Sequence, residues 1–181
     1  MSQIKIVTDS TADLTPALIK EFNITVIPLK VLFGEKVYRE GIDLTPAEFY
    51  DLLAISDKLP TTSQPSPGEF IELYEKLTAD GSSVISIHIS SAMSGTIQSA
   101  LLAKNALPDR DITVIDSRLV SMALGMVVLA AAQAVKEKKS KEEVLAKIQE
   151  VASKVRTYFV VDTLDNLAKG GRIGKAAALM G

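Results

Sequence analysis

Six residues, Val84-Ile85-Ser86-Ile87-His88-Ile89, run directly into Ser90-Ser91-Ala92-Met93-Ser94-Gly95-Thr96 and then into a helical pattern from Ile97 to Asn105. A short apolar run rich in β-branched residues reads as a buried strand. A strand that passes through hydroxyls and a glycine into a helix is an α/β signature. It puts the free amides of a helix N-terminus at a strand's end, where the helix dipole favours a phosphate or a carboxylate. The plainer use of Ser94-Gly95-Thr96 is a helix cap.

The same alternation extends along the chain. Gln3 to Thr8 reads as a strand ending in Asp9-Ser10-Thr11. Thr15-Pro16 is an N-cap followed by proline at the first helical position, and it opens a helix that Asn23 closes. Thr25 to Phe33 is a second strand that Pro28 demotes to an edge or a bulge, and Gly34-Glu35 turns it into Lys36–Tyr38. Thr45-Pro46-Ala47-Glu48 and Ser66-Pro67-Gly68-Glu69 are capping boxes. The first begins a helix with Phe49, Leu52 and Leu53 on one face. The second begins a helix that runs to about Ala79. Between them, Leu59 to Pro67 reads as a stiff polar loop, with three prolines and four hydroxyls. Asp111 to Ile115 is a strand ending at Asp116-Ser117. A helix to Val135 follows, then a helix capped by Ser140, then a last strand from Arg156 to Val161. Asp162-Thr163 caps a short helix before Lys169-Gly170-Gly171-Arg172-Ile173-Gly174. Strands alternating with helices predict a mainly parallel sheet in a three-layer α/β/α sandwich. The polar strand ends Asp9-Ser10-Thr11, Ser90-Ser91 and Asp116-Ser117 then share one rim, where open parallel sheets bind ligands.

Composition narrows the function. Hydrophobic residues make up 47% of 181, enough for one packed α/β core, and aromatics only 5%, so Ile, Val, Leu and Ala fill it. A net charge of -2 gives no basic face for nucleic acid. The absence of cysteine excludes disulfides, a thiolate nucleophile and cysteine metal sites, and fits a cytoplasmic setting. No signal-peptide pattern opens the chain. Leu119 to Val135 spans 17 residues but is broken by Ser121, Gly125 and Gln133, so it reads as a buried helix rather than a membrane span. Its small residues Ser121, Ala123 and Gly125 serve core packing or leave room for a hydrocarbon.

The candidate chemistry is limited. Ser94 is not in a G-x-S-x-G elbow, because Ala92 and Thr96 occupy the glycine positions. Asp9 lacks the second aspartate two residues on that a haloacid-dehalogenase-type phosphatase needs, since Thr11 stands there. His88 lies in an apolar strand and reads as a buried polar residue. Lys169-Gly170-Gly171-Arg172-Ile173-Gly174 is neither a P-loop nor a dinucleotide fingerprint; its two glycines either let the backbone and the Arg172 guanidinium approach an anion or simply end a helix before a cationic residue. Thr61-Thr62-Ser63-Gln64 is either a solvated loop or a set of hydroxyls pre-placed by prolines.

Five motifs in order resemble the DegV family of bacterial fatty-acid-binding proteins. They are Val7-Thr8-Asp9-Ser10-Thr11-Ala12-Asp13-Leu14, Tyr38-Arg39-Glu40-Gly41-Ile42-Asp43, Thr62-Ser63-Gln64-Pro65-Ser66, Ser91-Ala92-Met93-Ser94-Gly95-Thr96 and Lys169-Gly170-Gly171-Arg172-Ile173. The resemblance implies an N-terminal α/β domain over 1–155 that binds a lipid carboxylate. It also implies the start of a second α/β domain over 156–181, most of which is missing from this chain. It implies a long-chain fatty acid held by the hydroxyls of Thr62 and Ser94, with the Gly95 amide as a further donor and Arg172 near the head group. It implies a non-enzymatic carrier without cofactor or metal, which presents the carboxylate to a separate fatty-acid kinase. In the family, the second domain adds a histidine to the carboxylate network and much of the acyl tunnel. Two alternatives remain at this level: a small phosphatase or acyl hydrolase using Asp9 or Ser94, and an interaction domain without a ligand.

Overall fold

The computed structural model describes residues 3–161, 163, 165–172 and 174. The strands are β1 (Ile4–Asp9), β2 (Thr25–Ile27), β3 (Lys30–Phe33), β4 (Lys36–Arg39), β5 (Thr61–Ser63), β6 (Ser83–His88) and β7 (Ile112–Asp116). The helices are α1 (Pro16–Glu21), α2 (Pro46–Ile55), α3 (Pro67–Thr78), α4 (Thr96–Ala106), α5 (Ser121–Lys136), α6 (Lys141–Lys154) and α7 (Asp165–Lys169). A 3-10 turn, Ser10–Ala12, follows β1.

Four strands form a parallel sheet in the order β2-β1-β6-β7. Alternation along each strand divides the core into two layers. Ile6, Ile85 and Ile87 pack with Leu124, Val127 and Val128 of α5 and with Val144 and Ile148 of α6. Val7 and Val84 pack with Phe70 and Tyr74 of α3 and with Ala100 and Ala103 of α4. The three-layer α/β/α sandwich read from the sequence is the observed architecture. Local chemistry sets its ends. Thr45 and Glu48, Ser66 and Glu69, and Ser140 and Glu143 each form a reciprocal capping box. Asn23 adopts the left-handed conformation just beyond α1, and the Thr163 hydroxyl accepts from the Asp165 amide at the start of α7.

Three segments differ from the sequence reading. Thr25 to Phe33 is not one strand: β2 belongs to the parallel sheet, while β3 belongs to a second, antiparallel sheet of order β4-β3-β5. Pro28 has no amide to donate and a fixed φ, so the ladder stops there and the chain leaves the sheet. The polar loop before α3 contains β5, an edge strand that pairs Thr62 with Val31. All three β5 residues are exposed, which removes the apolar alternation that would have revealed a strand. The last predicted strand, Arg156 to Val161, has no regular structure, and Tyr158 and Val160 are 90% and 99% exposed. Among the described residues no strand lies beside it to take its backbone bonds. The apolar stretch after Leu119 is α5, which is buried on the core side. No helix among the described residues is long and apolar enough to cross a membrane.

Candidate functional site

Because β1, β6 and β7 run in parallel as neighbours, their carboxyl ends form one rim, as expected from Asp9, Ser90 and Asp116. The chain moves outward to β2 on one side of β1 and to β7 on the far side of β6. The order therefore reverses between β1 and β6, the position at which such sheets open a binding crevice.

The Ile89–Ser94 loop leaves β6 at this point and is held from both sides. The Ile89 amide donates to the Asp9 carboxylate at 3.0 Å. The Ser90 amide donates to the Leu119 carbonyl at 2.9 Å, and the Ser91 amide to Asp116 at 3.3 Å. The amides of Met93 and Ser94 turn back onto the Ser90 carbonyl. This presents the half-buried Ser94 hydroxyl beside Thr96, 2.9 Å from its hydroxyl and 3.3 Å from its amide. Gly95 is the N-cap of α4 and brings no side-chain cap. The N-termini of α2, α3 and α6, by contrast, are closed by capping boxes that include a glutamate. The amides of Ile97 and Gln98 at the start of α4 therefore keep their capacity for an anion.

The second predicted loop reaches this place through Gln64. A Cβ built on Gly95 would stand 2.9 Å from the Gln64 side-chain nitrogen. The segment leaving β5 thus covers Gly95 directly, which brings the Thr62-Ser63-Gln64 and Ser94-Gly95-Thr96 motifs together. Thr62 itself is exposed on β5, cross-strand from the buried Val31. Directly paired residues project to the same face of a sheet. Val31 also lines a cavity of about 720 Å³ with Leu14, Ile19, Val26, Leu44 and Phe49. Asp9, Asp13 and Glu40 also line it, and among the described residues no lysine, arginine or histidine does. Arg172 is exposed, and its guanidinium donates to the Gly170 carbonyl at 2.6 Å. Among the described residues no hydrogen bond joins it to Thr62, Ser94 or Gly95. Ile173 lies outside the described residues.

The sequence reading missed a buried polar chain beneath the rim. His88 Nδ1 lies 2.9 Å from Asp9 Oδ2, His88 Nε2 lies 2.7 Å from the Ser86 hydroxyl, and the Tyr74 hydroxyl lies 2.8 Å from Ser86. Asp9, His88, Ser86 and Tyr74 are all fully buried. Their alternation provided the signal: Ser86 and His88 are two apart in β6, and Asp9 ends the neighbouring strand. Burial alone would raise the Asp9 pKa. The hydrogen bond and charge of His88, with further bonds from Thr11 and the Ile89 amide, outweigh burial and hold the group below the ordinary aspartate range. Burial pushes the Tyr74 hydroxyl up.

This chain has the connectivity of a hydrolase triad, but Ser86 has no exposed surface and its oxygen is already bonded to Tyr74. The Asp9 oxygens are filled by donors, so Asp9 presents no free face to a phosphate. Ser94 has no base within hydrogen-bond reach among the described residues. The small residues of α5 serve packing at Gly125, where a Cβ would stand 2.4 Å from the Ala12 carbonyl oxygen, and at the buried Ala123. Ser121 instead donates to Asp13.

A family model described as the uncharacterised DegV family matches residues 3–181. A DegV domain-containing protein of Clostridium perfringens is 42% identical over 99% of this chain and 64% of its own length. The protein DegV of Bacillus subtilis is 41% identical over 98% of this chain and 64% of its own length. The crystal structure of DegV from Bacillus subtilis, a fatty-acid-binding protein, superposes with a TM-score of 0.90 at 40% identity, covering 99% of this chain and 64% of that one. A fatty-acid-binding DegV family protein from Thermus thermophilus gives 0.89 at 39% identity, covering 98% and 63%. A stearic-acid-binding protein from Eubacterium ventriosum gives 0.89 at 31% identity, covering 97% and 61%. The chain spans about 64% of the length of the curated relatives it matches. On these grounds the chain belongs to the DegV family.

Proposed function

We propose that this chain binds the carboxylate of a long-chain fatty acid at the junction of the Thr62 and Ser94 motifs. The observation that carries this reading is the contact of Gln64 with Gly95 at the N-terminus of α4, where the N-cap residue brings no side chain and, of the helix amides, the Ser94 hydroxyl accepts only from that of Thr96. Hydroxyls from Thr62 and Ser94 and the amide of Gly95 supply neutral donors, and the dipole of α4 favours the negative charge. A buried carboxylate needs such bonds, since an unpaired one is costly. Arg172 joins the head group by turning away from the Gly170 carbonyl. The tail passes Val31 into the cavity along its apolar wall of Leu14, Ile19, Val26, Leu44 and Phe49, where each buried methylene contributes about 0.8 kcal/mol. Among the described residues the cavity is lined by carboxylates and no cation, which leaves the tail end without a competing site for the carboxylate.

In this reading the protein is a cytoplasmic carrier that does no chemistry and presents the head group to a separate fatty-acid kinase. The filled oxygens of Asp9, and the absence among the described residues of a base near Ser94, support a carrier over a phosphatase or hydrolase. Domain 1–155 carries the hydroxyls, and 156–181 begins a second unit.

Native mass spectrometry of the chain mixed with hexadecanoic acid tests the proposal. One bound acid per chain is expected, and Ser94→Ala or Thr62→Ala weakens binding about tenfold, the loss of one charge-assisted hydrogen bond. A chain that takes up no acid, or variants that bind as the unchanged chain does, overturns it.

A further inference from the structure

The buried Asp9–His88 pair is used by nothing in the binding reading above. Asp9 takes four donors: Oδ1 accepts from the Thr11 amide and hydroxyl, and Oδ2 from His88 Nδ1 and the Ile89 amide. Thr11 belongs to the turn after β1, while Ile89 is the last residue before the hydroxyl loop. One carboxylate therefore fastens both polar strand ends at the point where the sheet order reverses. The Ile89 amide goes to a side chain, so β6 pairing ends at His88 and the chain turns toward Ser90. On the other side, the Ser117 hydroxyl donates to the His88 carbonyl at 2.7 Å. The imidazole is itself fixed in rotation by Ser86 at Nε2 and by the edge-on Phe70 ring, with centroids 5.1 Å apart. Burying a carboxylate costs more than packing an apolar pair of the same shape. What the charge provides here is direction: four N–H and O–H groups aimed at two oxygens define where the loop starts.

We propose that Asp9 and His88 are positioning residues for the head-group loop, His88 holding the Asp9 carboxylate in the orientation that fixes Ile89 and so the placement of Ser94. The proposal rests on the fatty-acid reading for its ligand, but the geometry of the loop start can be tested without it. The chemistry separates two isosteres. Asparagine at position 88 keeps a donor where Nδ1 stands and preserves the bond to Asp9. Glutamine keeps a polar group only where Nε2 stands and preserves the contact to Ser86. Asp9→Asn places two N–H groups among four donors and leaves at least one of them unpaired.

The experiment compares His88→Asn, His88→Gln and Asp9→Asn with the unchanged chain. It measures affinity for hexadecanoic acid and hydrogen exchange of residues 89–95. His88→Asn is expected to bind nearly as the unchanged chain does. His88→Gln and Asp9→Asn are expected to lose about tenfold or more in affinity, the cost of a misplaced charge-assisted bond, with faster exchange over 89–95. Equal behaviour of the two His88 isosteres, or full binding by Asp9→Asn, overturns the proposal and leaves His88 a packing residue. If the unchanged chain binds no acid, the fatty-acid reading fails, and exchange alone decides this one. His88→Gln must then loosen 89–95 and His88→Asn must not.

Discussion

A methyl group on Gly125 would stand 2.4 Å from the Ala12 carbonyl oxygen, whereas one on Gly95 would meet only the end of the Gln64 side chain at 2.9 Å. Backbone cannot give way as a flexible amide can. Gly125→Ala should therefore destabilise the chain by about 1–3 kcal/mol, read as a lowered urea midpoint. Gly95→Ala should leave that midpoint nearly unchanged while displacing Gln64 and weakening acid binding. Asp9 gives a prediction of a different kind. Its folded pKa is depressed, so its contribution to stability is present above the unfolded value near 3.8 and is lost as pH falls through the lower folded value. The advantage of the unchanged chain over Asp9→Asn, about 2 kcal/mol at neutral pH for a hydrogen-bonded buried charge, should shrink in urea unfolding carried out below the ordinary aspartate range.

At the scale of elements, the capping boxes are the most local determinants. Ser140→Ala removes the acceptor for the Glu143 amide and should cost about 1 kcal/mol by urea unfolding. These boxes were legible in the sequence because all their parts lie within four residues. The strand β6 and its hydroxyl loop were legible for the same reason. The edge strand β5 was not, since its residues are polar and exposed and only Val31 and its neighbours define it as a strand. The Asp9–His88 pair was not legible either: its partners are 79 residues apart, and they meet only once β1 and β6 are adjacent. Ser94 and Thr62 could each be named as candidates from sequence, but the approach of Gln64 to Gly95 depends on the second sheet, which the sequence reading lacked. Arg156 to Val161 misled because its apolar residues imitate a strand. A strand also needs a neighbour, which no local pattern can supply.

For the whole molecule, the two sheets differ in how they are supported. The parallel sheet is buried between two helical layers, and every residue of β6 is buried. The antiparallel sheet meets α2 through the edge-on rings of Phe33 and Phe49, and α2 is a helix with no fully buried residue. Hydrogen exchange should be slowest in β1 and β6 and markedly faster in β4 and β5, since segments with few buried contacts open at lower free energy. Uniform protection across both sheets would contradict this. The sheets join at Pro28-Leu29. There the Ser10 hydroxyl accepts from the Leu29 amide at 2.9 Å and donates to Glu40 at 2.6 Å, and the Glu40 amide donates to the Leu29 carbonyl. Thr62 rides on one sheet and Ser94 on the loop that leaves the other. Their separation is therefore a gauge set at Leu29, where the fixed φ of Pro28 and the clasp of Ser10 on the Leu29 amide and Glu40 tie one sheet to the other.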